Sequence, residues 1–277
     1  MKKICIILLF LGIVFPLLHA QGQECLPIPD IPSERISFMD GEQITFVAYY
    51  TWGLINTGVG ELTTVVSHKG DGPEPYFETV ASVKTYGFFD VFFKVRDTYE
   101  ARFRARNLTP LYFSRDIHEG KYTIVNQFHF NKDHSINAHI VRSNNRIKDT
   151  VMQGKPCTFD LMTLLYFARN IETSTMNVGD QLSLSFVIDE EIHDLFFRFM
   201  GVEQKKVPGV GTFRCKKFSA SLVAGVVFTG KEEMPIWISD DENRLPIWLE
   251  SPTTVGRVSA RISKYQGLKF PLTSKVK

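Results

Sequence analysis

Three histidines, His129, His134 and His139, recur at intervals of five residues. On a hairpin, His129 and His139 would approach across the ladder, with His118 as a third imidazole for zinc or copper. Zinc motifs carry tighter pairs such as His-x3-His, and His134 falls in the turn Asn131-Lys132-Asp133-His134, so solvated histidines explain the spacing equally well. The acidic clusters Asp189-Glu190-Glu191 and Asp240-Asp241-Glu242 lack the alternating oxygens and bend glycine of a calcium loop. As charged hairpin turns they need no ligand, and a glycosidase would need two carboxylates about 5 to 10 Å apart across a cleft. No Gly-x-Ser-x-Gly, Ser-x-x-Lys or His-Glu-x-x-His run is present. Gly209-Val210-Gly211 lacks the helix start that a phosphate cradle requires, and the sequon Asn107-Leu108-Thr109 is followed by Pro110. The expectation is a protein without catalytic residues, metal or cofactor.

Aromatic residues are the stronger lead, with 23 Phe, 9 Tyr and 3 Trp. Tyr86, Phe88, Phe89, Phe92 and Phe93 crowd around Gly87. Read as a strand, Phe88 to Phe93 puts aromatics on both faces, so either a second layer covers them or they line a cavity mouth. Together with Trp52, Trp237 and Trp248 they form the candidate apolar pocket or partner surface. Arg102, Arg104 and Arg106 make a basic row on the opposite face of a neighbouring strand, which solvent or an acidic partner would suit.

Those side chains need a scaffold, and the patterning is that of antiparallel strands. Ile44, Phe46, Ala48, Tyr50 and Trp52 share one parity, and Tyr99, Ala101, Phe103 and Ala105 alternate with Glu100, Arg102, Arg104 and Arg106. Such alternation marks half-buried strands and excludes a parallel sheet buried on both faces. It returns at 59–67, 122–130, 136–140 and 182–188, and further strands are expected near 193–206, 211–223, 225–230, 234–239, 245–250 and 255–265. About a dozen strands with short connections predict one antiparallel meander. One segment differs: residues 158–170 contain no Gly or Pro and read as a helix, with Thr158 as N-cap and Asp160 and Arg169 at the matching ends of the dipole. Its apolar residues cover nearly the whole circumference, so it should be buried on most sides. A mainly β sheet curled into an open or partly closed barrel around this one helix would bury it.

The chain opens with Lys2 and Lys3, an apolar run from Ile4 to Leu18, and Ala20, the pattern of a secretory signal peptide over residues 1–20. An extended lead-in with Pro27, Pro29 and Pro32 then precedes a single β domain over 41–277, and a periplasmic or otherwise extracytoplasmic location is expected. Lys and Arg total 32 and Asp and Glu 30, and two lysines fall in the first twenty residues, so the remainder is formally neutral. A neutral chain lacks the basic field that draws nucleic acid. No later apolar run reaches the roughly twenty residues of a membrane helix. Beyond Cys5 the cysteines are Cys25, Cys157 and Cys215. A Cys157–Cys215 bridge and buried free thiols both fit the spacing, and Cys25 lacks the preceding small residues of a lipid-anchor signal.

Several runs resemble an exported bacterial family, the domain of unknown function 3108. They are the strand from Ile44 to Trp52 followed by Asn56-Thr57-Gly58-Val59-Gly60-Glu61-Leu62, Phe159-Asp160-Leu161 with Val178-Gly179-Asp180 beyond it, and Trp237-Ile238-Ser239-Asp240 leading to Asn243-Arg244-Leu245-Pro246. The resemblance spans about 41–267 and implies export and a single β domain, but no activity. The inferred architecture is also similar to the periplasmic lipoprotein carriers, whose open barrel holds an apolar cavity beside helices. The function expected is non-enzymatic binding of a lipid-like or amphipathic ligand or of a partner segment. A structural or assembly component contacting another envelope protein, and a glycan-acting hydrolase, are the alternatives.

Overall fold

A computed structural model describes residues 28–222, 233–253 and 256–276. The expected signal peptide, Cys25 and the strand expected at 225–230 lie outside the described residues. Among the described residues fifteen strands form one sheet. The first eight are β1 (Gln43–Trp52), β2 (Ile55–Lys69), β3 (Tyr76–Thr85), β4 (Arg96–Arg104), β5 (Pro110–Glu119), β6 (Tyr122–Phe130), β7 (Ser135–Arg142) and β8 (Ile147–Gln153). The remaining seven are β9 (Thr158–Phe159), β10 (Gln181–Ile188), β11 (Glu191–Val207), β12 (Gly211–Leu222), β13 (Met234–Ser239), β14 (Pro246–Pro252) and β15 (Arg257–Gln266). Each strand hydrogen-bonds its sequence neighbours, except that β8 and β9 do not pair, and β1 pairs antiparallel with β15 to join the two halves. Among the described strands only the short β9–β10 pair is parallel.

The sheet is therefore an antiparallel meander curled into an open barrel whose seam runs between β8 and β9. Ion pairs bridge that seam in place of ladder hydrogen bonds: Arg115 to Asp189, Arg142 and Lys148 to Glu190, and Lys155 to Asp194. The acidic turn at 189–190 thus has a structural role. Close approach fixes one glycine of the resembling runs, because a Cβ on Gly60 would lie 2.5 Å from the Lys84 carbonyl oxygen on β3. Strands β3, β5 and β8 were not expected from the pattern. Residues 88–93 are corrected from strand to a single helical turn, α1 (Gly87–Asp90), and the loop that follows it. Tyr86 starts that turn by accepting the N–H of Phe89 and Asp90.

Inside the barrel lies α2 (Leu161–Ala168), shorter than the expected 158–170 because Thr158 and Phe159 are drawn into β9. The N-cap is Asp160, not Thr158: its carboxylate accepts the N–H of Met162 and Thr163 at 2.9 and 2.8 Å and the Thr163 hydroxyl at 2.6 Å. Met162, Thr163, Tyr166 and Phe167 are buried against the first half of the sheet. There the Tyr166 ring meets Phe38 at 4.9 Å and Phe103 at 5.5 Å, and Phe167 stacks on Phe159 at 4.6 Å. The other stripe, Leu161, Leu164, Leu165 and Ala168, faces the second half. All-round apolarity therefore reflects two different apolar surroundings.

Complete burial raises the Asp160 carboxyl from its ordinary 3.8 to about 6, outweighing the hydrogen bonds that favour its charge. Between those values the folded chain holds a proton that the unfolded chain has lost, so this group's stabilisation is full below 3.8 and is lost as pH rises through about 6. Asp160→Asn keeps the cap and removes the titration. Urea unfolding across this range should show wild type losing roughly 2–3 kcal/mol relative to the variant as pH rises, and a flat or rising difference would refute the assignment.

An apolar cavity between the helix and the second half of the sheet

The free stripe of α2 walls a cavity of about 530 Å³. Alternation on the strands supplies the opposite walls: Leu184, Phe186 and Ile188 on β10, Leu195 and Phe197 on β11, Ile236 and Ile238 on β13, and Val258 and Ala260 on β15. Register keeps this set on one face, since Ile236 opposes Leu249 and Leu249 opposes Ala260. The few polar groups on the lining are Arg169, His193, Glu250 and Ser251. Deep wall residues such as Leu184, Ile238 and Ala220 are buried, whereas Ile188, Met234, Ser251 and Val258 near the strand ends are partly exposed, so the cavity opens at that rim.

Its floor is ionic. Arg169, the C-cap of α2, is 1% exposed and binds the buried Glu42 carboxylate at both oxygens, at 2.5 and 2.8 Å. The same guanidinium donates to the carbonyls of Ser37 at 3.1 Å and Asn243 at 2.9 Å, and sits over Phe38 and Tyr166. Burial alone would lower the Arg169 pKa, but the Glu42 carboxylate outweighs it and the net shift is upward. Asn243 is fixed in turn: its side chain donates to the Phe270 carbonyl at 2.8 Å and accepts the Phe270 N–H at 2.9 Å. Asp241 accepts the N–H of Asn243, Arg244 and Ser274, so this acidic turn also serves the fold.

None of the eight aromatic candidates lines the cavity. Trp237 and Trp248 oppose each other across β13 and β14, one residue out of phase with Ile236 and Leu249, and so lie on the other face. There Lys205 sits 3.2 Å from the Trp237 ring and 4.2 Å from Trp248, while Arg261 bridges Trp248 and Tyr49 at 4.1 and 3.9 Å. Trp52, Phe88, Phe92 and Phe93 are exposed, and Tyr86 and Phe89 are half-buried. The cavity residues were present in the pattern as ordinary strand alternation and as the second apolar stripe of α2, which did not distinguish a wall from a filled core.

The histidines are not brought together: His129 lies tilted against Tyr112 with ring centroids 4.9 Å apart, His139 pairs with Asp149 at 2.7 Å, His118 pairs with Asp116, and His134 occupies a left-handed turn position. Arg102 is held by Glu78 and Glu100, Arg104 by Thr109, and Arg106 lies 3.9 Å from Asp30. Cys215 is a free, buried thiol pushed up to about 12 by burial, and Cys157 is disulfide-bonded, so these two do not pair with each other. Among the described residues no helix is long and apolar enough to cross a membrane.

The chain belongs to the family described as "Protein of unknown function (DUF3108)", which matches residues 45–263. Among solved structures it is similar to the crystal structure of a β-barrel-like protein of domain of unknown function DUF1849 from Brucella abortus. That likeness has a TM-score of 0.52 at 7% identity and covers 84% of this chain and 99% of the other, and it concerns the fold alone. None of the curated proteins matches the chain.

Removing one partner of the floor strands a buried charge. Glu42→Gln should lower stability by about 3–5 kcal/mol in urea unfolding, whereas Glu42→Leu with Arg169→Met should cost markedly less than the two single changes combined. Additive losses would show that the pair does not act as a unit.

Proposed function

We propose that the chain is a non-enzymatic binding protein of the cell envelope that holds an apolar or amphipathic molecule in this cavity. The observation that carries the reading is the second stripe of α2: Leu161, Leu164, Leu165 and Ala168 form a helix face with open volume against it. Such a surface forgoes the dispersion contacts that a filled core supplies, and an acyl chain or comparable apolar body restores them. The volume of about 530 Å³ falls within the roughly 300–1,000 Å³ of small-molecule sites. The location of the polar groups supports an amphipathic occupant, because His193 and Ser251 stand toward the rim and would meet its polar end. An address outside the cytoplasm is supported by the charged and apolar pattern of residues 1–20 and by the disulfide at Cys157.

Native mass spectrometry and solvent extraction of protein purified from its own envelope test this directly. Wild type should carry an apolar or amphipathic molecule in a defined stoichiometry. Ala260→Trp and Ala168→Phe, which fill the cavity from opposite walls, should each reduce occupancy by about tenfold or more while the far-ultraviolet circular dichroism spectrum stays unchanged. Wild type free of any such molecule, or folded variants with full occupancy, would refute the reading.

A further inference from the structure

Strand direction places the β1–β2 tip, the α1 loop and the β5–β6 turn among the connections at the end of the barrel where the cavity opens. They are physically joined. Gly256, beside cavity-lining Val258, packs on the Thr51 backbone, the Tyr86 N–H donates to the Val59 carbonyl, and Phe93 approaches Gly120. The side chains along this arc are apolar and face solvent: Trp52, Leu54, Phe88, Val91, Phe92 and Phe93, with Phe88 and Phe92 exposed by 72% and 75%. Tyr50 opposes Val258, so β1 carries the cavity face outward to Trp52, and the rim patch continues the cavity wall.

Cations without an ion-pair partner flank it, beside the carboxylates of Glu119 and of Glu191, which lies 3.6 Å from His193. Lys94, Lys121 and Arg146 are exposed at this end and have no ion-pair partner among the described residues. The neighbouring carboxylates are occupied: Asp90 by Arg96, Glu61 by Lys84, Asp189 by Arg115 and Glu190 by Arg142 and Lys148. Glu119 is half-buried, and burial together with the neighbouring Asp97 raises its pKa. Aromatics able to enter the acyl boundary, ringed by free cations able to meet phosphates, are the complement of an anionic phospholipid surface. From the exposed rim aromatics and these free cations around the cavity mouth, we infer that this rim docks on an anionic bilayer. The inference deepens the ligand-binding reading and rests on it only for what passes through the mouth.

Co-flotation with extruded vesicles tests it. The full chain should float with phosphatidylglycerol-containing vesicles and at least about tenfold less with pure phosphatidylcholine, and Trp52 emission should shift to the blue on binding. Phe88→Ser with Phe92→Ser, and separately Lys94→Glu with Lys121→Glu, should each weaken flotation by about tenfold while melting temperature and co-purified ligand stay unchanged, since these side chains are exposed. The cavity-filling Ala260→Trp should leave flotation intact, and wild type that floats normally but carries no co-purified molecule would sink the ligand reading alone. Wild type that does not float, variants that float as well as wild type, or sedimentation showing the patch covered by a second copy of the chain would each overturn the docking inference.

Discussion

The bidentate Arg169–Glu42 pair ties together parts of the molecule that the sheet alone would leave independent. Arg169 ends α2, Glu42 immediately precedes β1, and the Asn243 carbonyl that shares the guanidinium belongs to the β13–β14 turn. These are the helix, the strand that joins the two halves, and the turn beneath the cavity. Desolvating the two charges costs several kcal/mol each, so as a source of net stability the pair is unremarkable. Its value is positional, because a guanidinium with several fixed acceptors has one satisfactory place, and the helix end is carried there with it.

That placement explains why the barrel is filled on one side and hollow on the other. Tyr166 anchors one stripe of α2 into the aromatic cluster of Phe38, Phe77 and Phe103 against the first half of the sheet, and Phe167 stacks on Phe159 of β9. With its lower end pinned by Arg169 and its upper end capped by Asp160, the helix cannot slide across to pack on β10–β15. The wall residues of the second half are therefore left facing a helix held away from them. Apolar alternation on these strands then produces a hydrophobic lining where it would ordinarily produce a core.

How much of this could be read from the residues follows the same division. Period-two alternation on β1, β4, β6 and β10 and the uninterrupted run at 158–170 were sufficient for an antiparallel sheet curled around one helix. Strand β8 was not legible because Ile147–Gln153 is largely exposed at the seam and carries no buried face to betray it. The aromatic run at 88–93 reads as a strand with aromatics on both faces, yet the Tyr86 carbonyl accepts from Phe89 and Asp90 and closes a turn that throws Phe88 and Phe92 outward. Trp237 and Trp248 lie a single step of parity from the cavity wall, and no periodicity says which face of a two-sided strand meets a hollow. The runs carrying the family resemblance fare better when read as construction. Gly60 permits a close strand crossing, Asp160 caps the helix, and Asn243 with Arg244 builds the floor.

Polarity is distributed along the barrel axis in a way that gives the hollow a direction. At the floor the cavity meets charge and backbone hydrogen bonds, including Arg244 donating to the carbonyls of Arg169 and Ile171. An apolar body entering there would have to separate a buried ion pair and leave its members unsatisfied. At the rim the described walls run out into partly exposed Ile188, Met234 and Val258, with His193 and Ser251 beside them. Passage from outside to inside at that end exchanges one apolar surface for another and breaks no hydrogen bond. Among the described residues, the end of the cavity that is cheap to enter is the end that displays the aromatic arc.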